Sequence, residues 1–329
     1  MSYWGDGNMS QAAQAKIQLD GVTRAFGNTL AVDDVSFHVD AGEVLGFIGP
    51  NGAGKTTSMR ILSTLDSPTA GEAWVDGFSV VDDPDRVRER MGWMPDGFGT
   101  YPNINCKEYL DFFARSYGLR GKNRLRAIKN VMGFTQLNQL AKKPISGLSK
   151  GMKQRLCLGR ALIHNPKVLI LDEPAAGLDP RARIELREMI LELADEGKSL
   201  LISSHILSEL AEVCDRVAII EKGKLLAIGS VDSLLKRETG QTIGKGVSQL
   251  EVKFVSELSD VLQWFNSRVD VELVSSTTNS ILFNFETCHK KQSELLAAII
   301  DAKIEVFEFS EKQTSLEDVF LSVTRGEVQ

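Results

Sequence analysis

Two short stretches of this chain have the residue types and spacing to handle a chain of phosphates. The first is Gly49-Pro50-Asn51-Gly52-Ala53-Gly54-Lys55-Thr56, a G-x-x-x-x-G-K-[ST] pattern. Its glycines let the backbone wrap tightly and aim successive N–H groups at phosphate oxygens. A helical segment opens directly after it, with Thr57, Met59, Ile61 and Leu62, and adds the positive end of its dipole. Lys55 has the reach and charge for outer phosphates, and the Thr56 hydroxyl is a ligand for Mg²⁺. The second stretch is Leu169-Ile170-Leu171-Asp172-Glu173-Pro174, an apolar run that ends in two carboxylates. Asp172 is suited to hold Mg²⁺, directly or through water. Glu173 is the candidate general base for an attacking water. An acidic turn after a strand is common in itself. A phosphate loop elsewhere in the chain gives this one its meaning, because such a loop calls for a magnesium carboxylate on a neighbouring strand.

These groups need strands to carry them. Val44–Ile48 runs into the phosphate loop, Val168–Leu171 into the carboxylates, and Leu200–Ser203 into Ser204-His205. All three are nearly continuous apolar runs, as in a parallel sheet covered by helices on both faces. Ligands in such sheets bind at the carboxyl ends of the strands. The expected fold is α/β, with a further strand at Val35–Val39. From about Pro102 to Ala141 the pattern turns helical: Leu110, Phe113 and Tyr117 recur at helical spacing with Phe112 widening the face, then Leu125, Ile128, Val131 and Met132. Gly118 and Gly121 mark a break between two helices. This stretch reads as a helical insertion into the core.

Past Lys236 the texture changes. Glu238–Val247 is rich in Gly, Thr, Gln and Lys and reads as a linker. Leu250, Val252 and Phe254 then alternate with polar residues, followed by a helix through Leu258, Val261, Leu262 and Phe265. Strands at Val271–Val274 and Ile281–Phe285, a helix at Lys291–Ile300 and a strand at Ile304–Phe309 complete the order β-α-β-β-α-β of a small ferredoxin-like domain. A terminal amphipathic helix spans Leu316–Val323. The expected boundaries are a tail over 1–15, a first domain over 16–237 with its helical part at about 97–150, a linker over 238–248 and a second domain over 249–329.

Composition fits two folded domains: 329 residues, 43% hydrophobic and 25% charged. A net charge of −6 gives no global attraction to a phosphate backbone, so nucleic acid is not the expected partner. Cys106, Cys157, Cys214 and Cys288 are scattered without a CxxC pair, which argues against zinc or a disulfide framework and for isolated buried thiols. No apolar run approaches the ~20 residues of a membrane span. The polar stretch Met1–Lys16 lacks the apolar core of a signal peptide.

Together with four further motifs in order, these stretches resemble the ATP-binding subunits of ABC transporters over about Ile17–Leu235. Leu148-Ser149-Lys150-Gly151-Met152-Lys153-Gln154-Arg155 resembles the family's signature segment. Ala175-Ala176-Gly177-Leu178-Asp179 resembles the D-loop, Ser204-His205 the switch histidine, and Phe26 the aromatic that stacks on adenine. The resemblance implies a P-loop ATPase that binds ATP through Phe26, Gly49 to Thr57 and Mg²⁺. Lys55, Glu173 and His205 would be catalytic. Ser149, Gly151 and Asp179 would act on the ATP of a second copy in a head-to-tail dimer. Capping a helix is the ordinary role for Ser149, and core packing for an aromatic such as Phe26; for His38, His164 and His289 a structural role is expected.

The sequence departs from the common pattern in two places. Lys150 and Met152 replace a glycine and a glutamine of the signature, while Ser149 and Gly151 are kept. In Met91-Gly92-Trp93-Met94-Pro95-Asp96, Asp96 stands where the family usually has a glutamine; it either reaches Mg²⁺ through a water or leaves the ion to Thr56 and Asp172. Acidic residues here recur in the exporter branch. The segment Ser315–Leu321 likewise resembles the end of bacterial drug- and lipid-exporter ATPases. The implied partner is a separate membrane permease of the ABC-2 type, docked on the helical insertion at the cytoplasmic face of the membrane. The competing reading is an ABC ATPase acting on a macromolecular complex. Such proteins carry paired cassettes, zinc or long coiled-coil insertions, and none of these is visible here.

Overall fold

A computed structural model describes residues 15–97, 99, 103–206, 210, 212–231, 233–234, 247–286 and 288–312. Outside them lie the expected tail up to residue 14, Pro102, the linker up to residue 246, and the terminal segment with its expected helix. The chain divides into two compact units at about residue 231.

Apolar–polar alternation from Ile17 onward builds an antiparallel hairpin first. Strands β1 (Ala15–Phe26) and β2 (Thr29–Asp40) pair so that Ile17, Leu19, Val22, Val32, Val35 and Val39 are fully or almost fully buried. Strand β3 (Val44–Ile48), buried at all its positions, leaves this layer for another sheet. Strands β4 (Ala70–Val75) and β5 (Phe78–Ser79) return to the first, giving the order β2-β1-β4-β5. The hydropathy pattern predicts the Val35–Val39 strand but not this separate antiparallel sheet, because its β1–β4 pairing joins segments far apart in sequence.

The second sheet comprises β3, β6 (Met91–Met94), β7 (Val168–Leu171), β8 (Ser199–Ser204), β9 (Arg216–Glu221) and β10 (Lys224–Ser230). Its order is β10-β9-β3-β8-β7-β6, parallel from β9 to β6, with β10 an antiparallel edge. The near-continuous apolar runs of β3, β7 and β8 are thus the central buried strands. One apolar core joins the two sheets, with Phe37 and Phe47 rings 5.3 Å apart.

The helical insertion consists of Cys106–Ser116 and Gly121–Phe134, followed by two short 3₁₀ turns. Asn105 and Glu108 start the first helix with a reciprocal capping box. Gly118, at φ 74°, makes the break that its residue type predicts. Leu110, Ile128, Val131 and Met132 turn inward, whereas Phe112, Tyr117 and Leu125 remain exposed.

In the second unit, β11 (Val247–Phe254), the helix Leu258–Asn266, β12 (Glu272–Ser276), β13 (Ser280–Glu286), the helix His289–Asp301 and β14 (Val306–Glu311) succeed one another. The sheet order β12-β13-β11-β14 is antiparallel throughout, the split β-α-β arrangement of a ferredoxin-like fold. Its own core includes Leu250, Val252, Phe254, Phe265, Phe283 and Ile299. Strand β11 begins inside the stretch expected as linker. Among the cysteines, Cys106, Cys157 and Cys214 are buried, but Cys288 is exposed, contrary to a uniformly buried set. It occupies the N-cap position of the His289–Asp301 helix, at the surface. No helix among the described residues is long and apolar enough to cross a membrane.

Candidate active site

Strands β3, β8 and β7 are neighbours, so the turns at their carboxyl ends meet at one edge of the sheet. After β3 the chain turns through Gly49 to Gly54 into the helix Lys55–Leu62. Gly54 holds φ 108°, and a Cβ there would lie 2.5 Å from the Ala31 carbonyl oxygen, so both conformation and space require glycine. A Cβ on Gly49 would approach the Ile220 carbonyl oxygen to 2.2 Å. Of the intervening residues, Pro50, Asn51 and Gly52 are exposed and Ala53 is buried; Thr56 is exposed and Thr57 half-buried on the first helical turn.

Lys55 is only 5% exposed. Its ammonium donates to the Gly49 carbonyl at 2.6 Å and the Pro50 carbonyl at 3.2 Å, and lies 3.5 Å from Glu173 Oε1. The loop therefore curls round the lysine's own nitrogen, which faces the acidic strand end. Asp172 and Glu173 come after the last residue of β7 rather than ending it, and the Asp172 N–H donates to the Met94 carbonyl at 2.8 Å. Glu173 has φ 48°, a left-handed conformation unusual for a side chain of its size. That turn aims its carboxylate toward the Lys55 loop, and Oε2 lies 2.8 Å from His205 Nδ1.

Asp172 is 1% exposed. Burial raises its carboxyl above the ordinary range; hydrogen bonds from Ser203 and Thr56 oppose this, while the charges of Glu173 and Asp96 add to it. Asp96 itself is exposed, close enough to be felt by Asp172. Ser203, in β8, was not singled out by sequence reasoning. Its hydroxyl donates to Asp172 Oδ1 at 2.6 Å and accepts the Glu173 N–H at 2.8 Å, fixing both carboxylates at once. Its only sequence signal is a hydroxyl at the carboxyl end of the apolar run Leu200–Ile202.

The other expected residues lie apart from this cluster. Ser149 caps the helix Lys150–Leu162 by accepting the Met152 N–H at 3.3 Å, and Asp179 caps Pro180–Asp195 by accepting the Ala182 N–H at 2.9 Å. Gly151 packs beside Ala182; a Cβ there would come within 3.0 Å of the alanine's own. Ser149, Gly151 and Asp179 thus gather round two helix N-termini. Among the described residues, no hydrogen bond or ion pair joins them to Lys55, Asp172 or Glu173. Phe26, at the end of β1, is 47% exposed, so it is not a core aromatic.

Two further residues brace the site from behind, and no motif marks them. Beside edge strand β6, the Arg90 and Met94 carbonyls accept from the β7 side, leaving the Met91 and Trp93 carbonyls facing out. His164 Nε2 binds the first at 3.1 Å, and Arg160 Nη2 the second at 3.2 Å. The His164 ring stacks on Tyr117 of the insertion, centroids 3.7 Å apart, and burial depresses its pKa to about 4. The structural role expected of His164 is thus specific: it caps the sheet edge that leads to Asp96.

Comparison with known proteins shows the family of the chain. Residues 32–176 match the family model described as ABC transporter. A Nod factor export ATP-binding protein I of Burkholderia lata is 34% identical over 96% of this chain and 99% of its own length. The linearmycin resistance ATP-binding protein LnrL of Bacillus subtilis is 30% identical over 94% and 98%. The solved structure of an ATP binding subunit of an ABC transporter superposes with TM-score 0.62 at 29% identity, covering 67% of this chain and 92% of that one. A dimeric bacterial ABC transporter cassette gives 0.60 at 25% identity, covering 65% and 98%. A phosphate loop, its acidic strand end and this breadth of likeness together mean that the chain belongs to the family of ABC transporter ATP-binding proteins and is an ATPase.

Proposed function

We propose that this chain hydrolyses Mg·ATP to drive export through a separate membrane permease. The observation that carries the chemistry is the Glu173 carboxylate, poised between the Lys55 ammonium and the His205 ring. Backbone N–H groups of Gly49 and Asn51 to Thr57 and the Lys55 ammonium hold the phosphates, and Phe26 stacks on adenine. Glu173 takes a proton from the attacking water, and His205 orients that water and contacts the outer phosphate.

The donors present fit Mg²⁺. Asp172 and Thr56 offer hard oxygens side by side. Thr56 and Asp172 would hold the ion, with Asp96 contributing through water, and phosphates and water would complete its shell. When bound, the ion neutralises charge on the phosphates.

Ser149, Gly151 and Asp179 act in trans, on the nucleotide of a second copy. Their gathering at exposed helix N-termini suits an anion arriving from outside the chain. Export rests on the relatives named for Nod factor export and linearmycin resistance. The partner is a permease of the ABC-2 type, and it holds the ATPase at the cytoplasmic face of the membrane. The second unit, beyond about residue 231, is an accessory domain. Purification of the tagged chain from detergent-solubilised membranes tests this. An integral membrane protein should co-purify and, once reconstituted, raise ATP turnover. A chain recovered only with soluble complexes would favour the non-transport reading.

A further inference from the structure

The exposed Phe26 ring does not stand alone. The Arg24 guanidinium lies over it, 4.5 Å from its centroid. Arg24 and Phe26 are two residues apart on β1, so their side chains leave the same face of the strand. Arg24 Nη2 is paired with Asp66 Oδ1 at 2.6 Å, and both side chains are mostly covered. Asp66 is fixed in turn: its Oδ1 accepts the Ser67 N–H at 2.9 Å. The segment after it is tied to β1, where Thr69 Oγ1 accepts the Ala25 N–H at 3.1 Å and the Thr69 N–H donates to the Thr23 carbonyl at 2.7 Å. Arg24 Nε is shielded from solvent and has no hydrogen-bond partner. Asp66 and the ring face therefore hold the guanidinium in place, against the cost of that unpaired donor.

From this we infer that Arg24 is a positioning residue for the nucleobase. The pinned guanidinium covers one face of Phe26 and fixes the ring's orientation, so a single flat face is presented for a base to stack on. Arginine suits this role because its planar group stacks on an aromatic face while forming an ion pair in its own plane; lysine cannot do both. The inference rests on the reading of Phe26 as the base-stacking residue. It adds that the aromatic works as one half of an Arg24–Phe26 unit anchored by Asp66.

The test compares Mg·ATP with inorganic Mg·tripolyphosphate, which has no base, by calorimetric titration of the purified full chain. Phe26→Ala should weaken ATP binding about tenfold and leave tripolyphosphate unchanged. Arg24→Ala and Arg24→Lys should each weaken ATP binding about threefold and likewise leave tripolyphosphate unchanged. Unchanged tripolyphosphate binding also shows that a variant is folded. If Phe26→Ala leaves ATP affinity intact, base stacking on Phe26 is wrong and the inference goes with it. If Phe26→Ala weakens ATP binding but Arg24→Ala does not, the inference alone is overturned. An Arg24→Ala variant that loses ATP and tripolyphosphate equally also overturns it, because Arg24 then serves the phosphates or the fold.

Discussion

Ser203 Oγ donates a 2.6 Å hydrogen bond to Asp172 Oδ1 from inside β8, a strand buried along its whole length. This bond favours the ionised form of a carboxyl whose pKa burial raises. Ser203→Ala removes it and also orphans the Glu173 N–H. We expect the acid limb of the ATPase pH profile to move to higher pH and the chain to lose about 1–2 kcal/mol in urea unfolding. Ser203→Thr, which retains the hydroxyl, should restore the profile.

Glu173 carries both the proposed general-base role and a left-handed backbone. Glu173→Gln keeps shape and backbone but cannot take a proton. Phosphate release should fall at least ~100-fold, while Mg·ATP affinity measured by titration stays within a few-fold of wild type. Loss of binding together with turnover would mean that Glu173 serves the ground-state complex instead.

Arg160 binds the Trp93 carbonyl on the open edge of β6 and lies 5.4 Å from the Phe113 ring centroid of the insertion. Arg160→Ala should cost about 1–3 kcal/mol, by leaving a carbonyl and the strand edge without their partner. Hydrogen exchange should show added exposure in Met91–Met94. Gly92→Ala is expected to be worse, since a Cβ there would sit 2.4 Å from the Ala161 carbonyl oxygen.

His164 gives a pH dependence of stability with a definite sign. Its folded pKa of about 4 lies below its ordinary 6.5, because burial and the Lys198 charge disfavour the imidazolium, the Met91 carbonyl opposing them. The unfolded chain therefore binds more protons between these values. The stabilising contribution is complete above about pH 6.5 and is lost as pH falls toward 4. The shift sets an upper bound of about 3 kcal/mol. Urea midpoints should fall across this window more steeply in wild type than in His164→Gln. Parallel curves would show that His164 does not titrate differently in the folded chain.

The central strands and the phosphate loop were legible because their information is local. Apolar runs of the right length, glycines at fixed offsets and one lysine define them within ten residues. Ser203, Arg160 and His164 were not legible as site residues, because each acts through a partner 30 to 73 positions away. The antiparallel β2-β1-β4-β5 sheet escaped for the same reason. Phe26 shows the intermediate case: its position near β1 suggested core packing or base stacking, and only its exposure excludes the first. Leu125 and Phe112 fit a helical stripe in sequence yet stay outside, since periodicity gives a face but not its cover.

The most direct measurement is Mg·ATP binding and phosphate release by the purified chain beside Lys55→Ala. The Lys55 ammonium sits inside the loop and faces Glu173; in the proposed mechanism its removal takes away the charge that draws the outer phosphates to the base. Wild type should bind and hydrolyse Mg·ATP, and Lys55→Ala should lose turnover with much weakened binding. Equal affinity and equal phosphate release in the two proteins would contradict the assignment of this loop as the nucleotide site.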